Sequence, residues 1–113
     1  MKPQELENKV IGRLNKIPPG EWEAKETMSG SVFYCASIQK FGFEVKHCWV
    51  GNGSNERTYW IRVYEDNISI SPVLEFRDSP LKKGIEELYS KIRDEKDNWE
   101  KQSLERLESL IDS

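Results

Sequence analysis

The stretch FGFEVKHCWVGNGSNERTYW, residues 41–60, gathers the single histidine, one of two cysteines, two of four tryptophans and a Gly-rich loop. His47 beside Cys48 has the residue types of a base and its nucleophile. That chemistry needs sulfur and imidazole within hydrogen-bond reach, with a third group orienting the ring. The pattern opposes it. Phe43, Val45, His47 and Trp49 alternate with Glu44, Lys46 and Cys48, the period of a half-buried strand. Sequence neighbours on a strand face opposite sides. His47 therefore reads as a hydrogen-bonded ring at the core edge; any functional role is ligand contact rather than proton transfer.

Other constellations are weaker. One His and two Cys offer at most three soft ligands without CxxC or HxxxH spacing, and structural zinc takes four, so no metal or cofactor is expected. GNGSNE resembles a phosphate loop, but a strand follows it where a helix N-terminus is required; it reads as a hairpin turn. Glu86-Glu87 and Asp94-Glu95 lie among Lys91, Arg93 and Lys96, the composition of a solvated helix face. The best surface candidates are Trp60, Arg62 and Tyr64, every second residue of RTYWIRVYE, with Lys46 and Glu44 beside them. Aromatic and Arg side chains on a sheet stack a base or anchor a protein interface. The competing expectation is that a helix covers this face.

The elements that must position these residues follow from periodicity. Leu6, Val10, Leu14 and Ile17 form one apolar stripe, predicting a helix over 1–17 that Pro18-Pro19-Gly20 ends. Residues 21–71 read as an antiparallel meander of four or five strands, with EWEAKETM, SVFYCASI, GFEVKHCWV, RTYWIRVYE and NISIS as the candidates and Ser29-Gly30 as a turn. Ser79-Pro80 reads as cap and first residue of a helical segment over 79–112. The fold class is α+β, in one domain.

That last segment is the most informative. Unbroken, it would run about 50 Å, against a radius of gyration near ~13 Å for a domain of this size. Ile85, Leu88, Ile92 and Trp99 share one face; Leu104, Leu107 and Ile111 share another, rotated by about 110°. Either the helix breaks near Asp97-Asn98, with Asn98 capping a second helix, or its last turns reach a second subunit. Trp99, Leu104, Leu107 and Ile111 are the expected oligomer or partner contacts, and a homodimer is favoured.

Composition sets the rest. The 113 residues are 33% charged and carry a net charge of −3, a poor surface for nucleic acid, which needs cations. No apolar run approaches the ~20 residues of a membrane span, and the N-terminal stretch lacks a signal-peptide core. A cytoplasmic chain is expected, with Cys35 and Cys48 reduced and the sequons at Asn52 and Asn67 silent. The function expected is non-enzymatic: a small acidic protein that binds a protein partner, as an accessory inhibitor or adaptor of the kind phages and mobile elements encode. The alternative is a small-ligand or nucleotide-binding module using Trp60, Arg62, Tyr64, Lys46 and His47. Acid/base catalysis at His47 ranks third.

Overall fold

In a computed structural model, residues 2–49, 57–65 and 71–113 are described, with Trp49 as backbone only. Helix α1 spans Pro3–Leu14, and a 3-10 turn follows at Pro19–Glu21. Five strands come next: β1 Glu23–Glu26, β2 Val32–Ile38, β3 Phe41–Trp49, β4 Arg57–Glu65 and β5 Leu74–Arg77. Helix α2 spans Gly84–Ile111. The strands pair antiparallel in chain order, so the α+β class with a meander sheet is the observed fold.

The alternation read from the sequence sets the two faces of this sheet. Val45 pairs with Ile61, Phe43 with Val63 and His47 with Tyr59. Val45, Ile61, Val63 and Tyr59 are buried with Tyr34 and Phe76. Ile85, Leu88, Tyr89 and Ile92 of α2 complete this core, and Leu14 joins it from α1. Five of its fourteen residues are aromatic. A chain poor in aliphatic residues fills its core this way, because each ring buries a large area.

Polar contacts fix the two helices to each other and to the sheet. Lys82 pairs with the buried Glu7 of α1. Lys91 Nζ donates to the Asn15 carbonyl at 2.8 Å, and Lys96 Nζ to the Trp22 carbonyl at 2.7 Å. Tyr89 Oη donates to the Val32 carbonyl at 2.5 Å.

Three expectations change. The helix begins at Gly84, not at Ser79-Pro80. Ser79 and Lys82 instead bridge a tight turn, and Asp78 reaches across it to accept the Ile85 and Glu86 N–H groups at 3.0 and 2.8 Å. A carboxylate seven residues upstream thus does what a local cap usually does; burial pushes its carboxyl up against the pull of those two bonds. Second, α2 is continuous through Asp97-Asn98, so the break does not occur. Third, the last strand is Leu74–Arg77; most of NISIS and all of GNGSNE lie outside the described residues, as do both sequon asparagines. At about 1.5 Å per residue α2 is about 42 Å long. It stretches the molecule to 55 × 39 × 26 Å, with a radius of gyration of 16.1 Å.

Candidate functional site

The helices pack on one face of the sheet, and the strand alternation puts Lys46, Trp60, Arg62 and Tyr64 together on the other. The expectation that a helix covers these residues is not met. Register adds three neighbours that the sequence reading missed. Arg77 stands opposite Trp60 and Glu75 opposite Arg62; Phe33 receives Lys46 Nζ at 4.3 Å from its ring centroid. The alternation in Leu74-Glu75-Phe76-Arg77 was the available signal for β5.

The charged groups of this open face are paired with one another, while the buried Trp60 Nε1 has no hydrogen-bond partner among the described residues. The Arg62 and Arg77 guanidinium groups lie 5.1 and 5.4 Å from the Trp60 ring centroid. Glu75 joins them, accepting from Arg77 Nε at 2.6 Å and from Arg62 Nε at 3.1 Å. Those bonds, Arg77's first, hold its carboxyl below the usual range. Tyr64 Oη donates to Glu44 Oε1 at 2.9 Å; burial and that carboxylate push its phenol up. Two cations already occupy Trp60 and two carboxylates neutralise the surroundings. The face resembles the Trp/Arg centre of a protein interface more than a vacant stacking platform.

Cys35 and Cys48 both belong to this face but do not meet. Cys35 pairs with Glu44, and Cys48 lies four residues farther along β3, about 13 Å at the strand rise. Burial, then Glu44, raises the Cys35 thiol, which keeps it protonated and a poor nucleophile at neutral pH.

His47 belongs to the other face, apart from the four residues grouped with it. Its ring sits 4.9 Å from that of Tyr89, edge-on, and 5.6 Å from that of Tyr59. The expected hydrogen bond is missing: the buried Nδ1 has no partner among the described residues. Burial, then Arg57, lowers its pKa below 6.5, so the ring is neutral at pH 7. Beside it lies a groove of about 570 Å³ between the β1–β2 turn and the middle of α2. Its lining includes the buried Tyr34 and Tyr89, His47, and the charged Arg57, Arg93, Lys96, Asp97 and Glu100. Desolvation carries the Tyr34 phenol up to about 12.

The third surface is the end of α2. Leu104, Leu107, Leu110 and Ile111 are 66%, 51%, 71% and 71% exposed. Trp99 differs from them. Its indole packs on the 3-10 turn, where a Cβ on Gly20 would come within 3.1 Å of the ring. The side chain thus closes the core end of α2, although 40% of it is still exposed. Beyond it α2 carries an aliphatic stripe edged by Glu105, Glu108 and Asp112. A second apolar recess, about 300 Å³, lies between α1 and the β2–β3 turn, lined by Val10, Ile38, Phe41 and Phe43 with Lys9 and Arg13 at its rim.

Among the described residues no group of three or more His, Cys, Asp or Glu side chains could hold a metal ion, and no helix is long and apolar enough to cross a membrane. No family model, curated protein or solved structure matches the chain.

Proposed function

We propose that this chain is a non-catalytic protein-binding module that self-associates through the projecting end of α2. The observation that carries the reading is the run of four aliphatic side chains, Leu104, Leu107, Leu110 and Ile111, each at least half exposed beyond the last contact of α2 with its own core. A contiguous apolar patch on an overhanging element is an interaction surface in waiting.

The occupant we assign is the α1 recess of a second copy. The recess supplies Val10, Ile38, Phe41 and Phe43 to receive the stripe. The charges match as well. Lys2, Lys9 and Arg13 fall within about 40° of one another around the axis of α1, Lys16 follows in the turn after it, and all are exposed. Glu105, Glu108 and Asp112 form the corresponding acidic edge of α2, also exposed. If each copy inserts its helix end into the recess of the other, the assembly closes as a two-fold dimer that leaves neither stripe bare. Such a dimer presents two open sheet faces, each with Trp60 between Arg62 and Arg77, residue types that anchor protein partners. This supports an adaptor or inhibitor role in which a partner is occupied rather than modified.

Leu107→Glu tests it. The substitution places a carboxylate in the apolar seam without touching the core. Light scattering is expected to give twice the chain mass for the wild type and the chain mass for the variant, with unchanged circular dichroism. A wild type that stays monomeric at high micromolar concentration sinks the proposal.

A further inference from the structure

The sheet has two edges, β1 and β5, and α2 projects past β1. The helix starts beside β5, where Asp78 caps it. By Lys96 and Trp99 it has reached Trp22 and Gly20, the residues that lead into β1. Residues 101–111 then run on for about 16 Å, the width of about three strands. A chain that adjoins β1 lies within reach of that helix end.

β1, Glu23–Glu26, is exposed along its whole length. Its pairing with β2 fixes which backbone groups are free. Thr27 N–H donates to the Ser31 carbonyl at 2.9 Å, in the same register as the Lys25–Phe33 and Glu23–Cys35 pairs. In an antiparallel ladder, hydrogen-bonded pairs alternate with pairs that exchange no bond. Glu23, Lys25 and Thr27 therefore turn N–H and C=O toward β2. Ala24 and Glu26 turn theirs out of the sheet, where they have no partner among the described residues.

That parity leaves a second copy few antiparallel registers. When Ala24 faces Ala24 of the second copy, Glu23 faces its Lys25 and Lys25 faces its Glu23. Both ion pairs then fall at non-hydrogen-bonded positions, where facing side chains come closest. Sliding by two residues is the smallest step that keeps the outward groups opposed. It sets Lys25 against Lys25 in one direction and Glu23 against Glu23 in the other, and like charges directly across destabilise. A lysine in the middle of an edge strand normally blocks pairing. Here Glu23 supplies its counter-charge in one register and leaves the block standing against the others.

We infer that two copies join antiparallel at β1, centred on Ala24, into one sheet of ten strands, five from each copy. The inference rests on the self-association proposed above and names its second contact, backbone edge to backbone edge beside the helix ends.

Amide hydrogen exchange and sedimentation velocity on the full chain test it. The Ala24 and Glu26 amides should be protected at concentrations where the wild type is dimeric and should lose that protection on dilution. Ala24→Pro removes an N–H that the chain's own sheet does not use, a place where an edge strand accepts proline. It should keep the circular dichroism of the wild type and raise the dimer Kd about tenfold or more. Lys25→Glu turns both ion pairs into Glu–Glu contacts and should raise the Kd about thirtyfold. Adding Glu23→Lys to it should return the Kd to within about threefold of wild type, because the pairs are rebuilt with signs exchanged. Unprotected Ala24 and Glu26 amides in the dimer, a folded Ala24→Pro that dimerises like the wild type, or a double variant as dissociated as Lys25→Glu alone would each overturn the inference. The exchange and charge-swap results decide the matter even where Ala24→Pro does not fold. A dimer that Leu107→Glu dissociates but whose β1 amides are never protected keeps the helix-end reading and removes this one. A dimer that Ala24→Pro weakens and Leu107→Glu does not keeps this one and removes the other.

Discussion

Reversing Glu105 and Glu108 to Lys turns the acidic edge of α2 basic while leaving its apolar stripe in place. In the proposed dimer these side chains face Lys9 and Arg13 of the partner copy. An exposed ion pair is worth about 0.2–1 kcal/mol, and a like-charge contact costs a similar amount. Each reversal then removes about 0.5 kcal/mol of attraction and adds about 0.5 of repulsion, taking the middle of that range. Two residues on each of two helix ends give about 4 kcal/mol, or about a thousandfold in dimer Kd. The converse pair, Lys9→Glu with Arg13→Glu, should do the same alone. All four substitutions together should restore the dimer to within about tenfold of wild type, since the pairs are rebuilt with signs exchanged. Sedimentation velocity at low ionic strength reads all four proteins, and added salt should shrink the differences because the charges are exposed. A combined variant as dissociated as either parent would refute the pairing of α2 with the α1 recess, even if a dimer forms by another route.

Two further outcomes concern the scaffold. Asp78→Ala removes the acceptor of two N–H groups at the start of α2 and should cost about 2–3 kcal/mol. That is a fall of about 8–12 °C in Tm, with Asp78→Asn intermediate; a loss below about 0.5 kcal/mol would show that the cap is dispensable. His47 has a folded pKa below its ordinary 6.5, so the unfolded chain takes up a proton first as the pH falls. Its contribution is fully present above 6.5 and is lost as the pH drops toward the folded value. Urea midpoints should decline through that window in the wild type and decline less in His47→Gln; parallel curves would show that His47 is not the group responsible.

Much of the fold was legible because its signals are local. The two-residue period of β3 and β4 sets which side chains share a face whatever the neighbouring strands do, so His47 and Cys48 were separable from the sequence. The stripe of α1 and the apolar residues of α2 were equally plain. The start of α2 was not, because Ser79-Pro80 has the composition of a helix start while the cap comes from Asp78 across a turn. β5 was missed because its alternation, Leu74-Glu75-Phe76-Arg77, is only four residues long.

The candidate sites divide the same way. Trp60, Arg62, Tyr64 and Lys46 shared a face by parity alone. That two arginines occupy the indole depends on Arg77, which only strand pairing brings there. The groove could not be read at all. Its lining joins Tyr34, His47 and Tyr89 from three elements, and Arg93 beside them reads in the sequence as one more charge on a solvated helix. By itself the sequence determined the periodicities, and with them the faces of each element, because these follow from backbone geometry within a few residues. Only the tertiary structure decided what each face meets: that both helices share one side of the sheet, that Trp99 closes on Gly20, and that α2 runs on unbroken past its core. Those outcomes depend on contacts between residues far apart in the chain, and no local pattern encodes them.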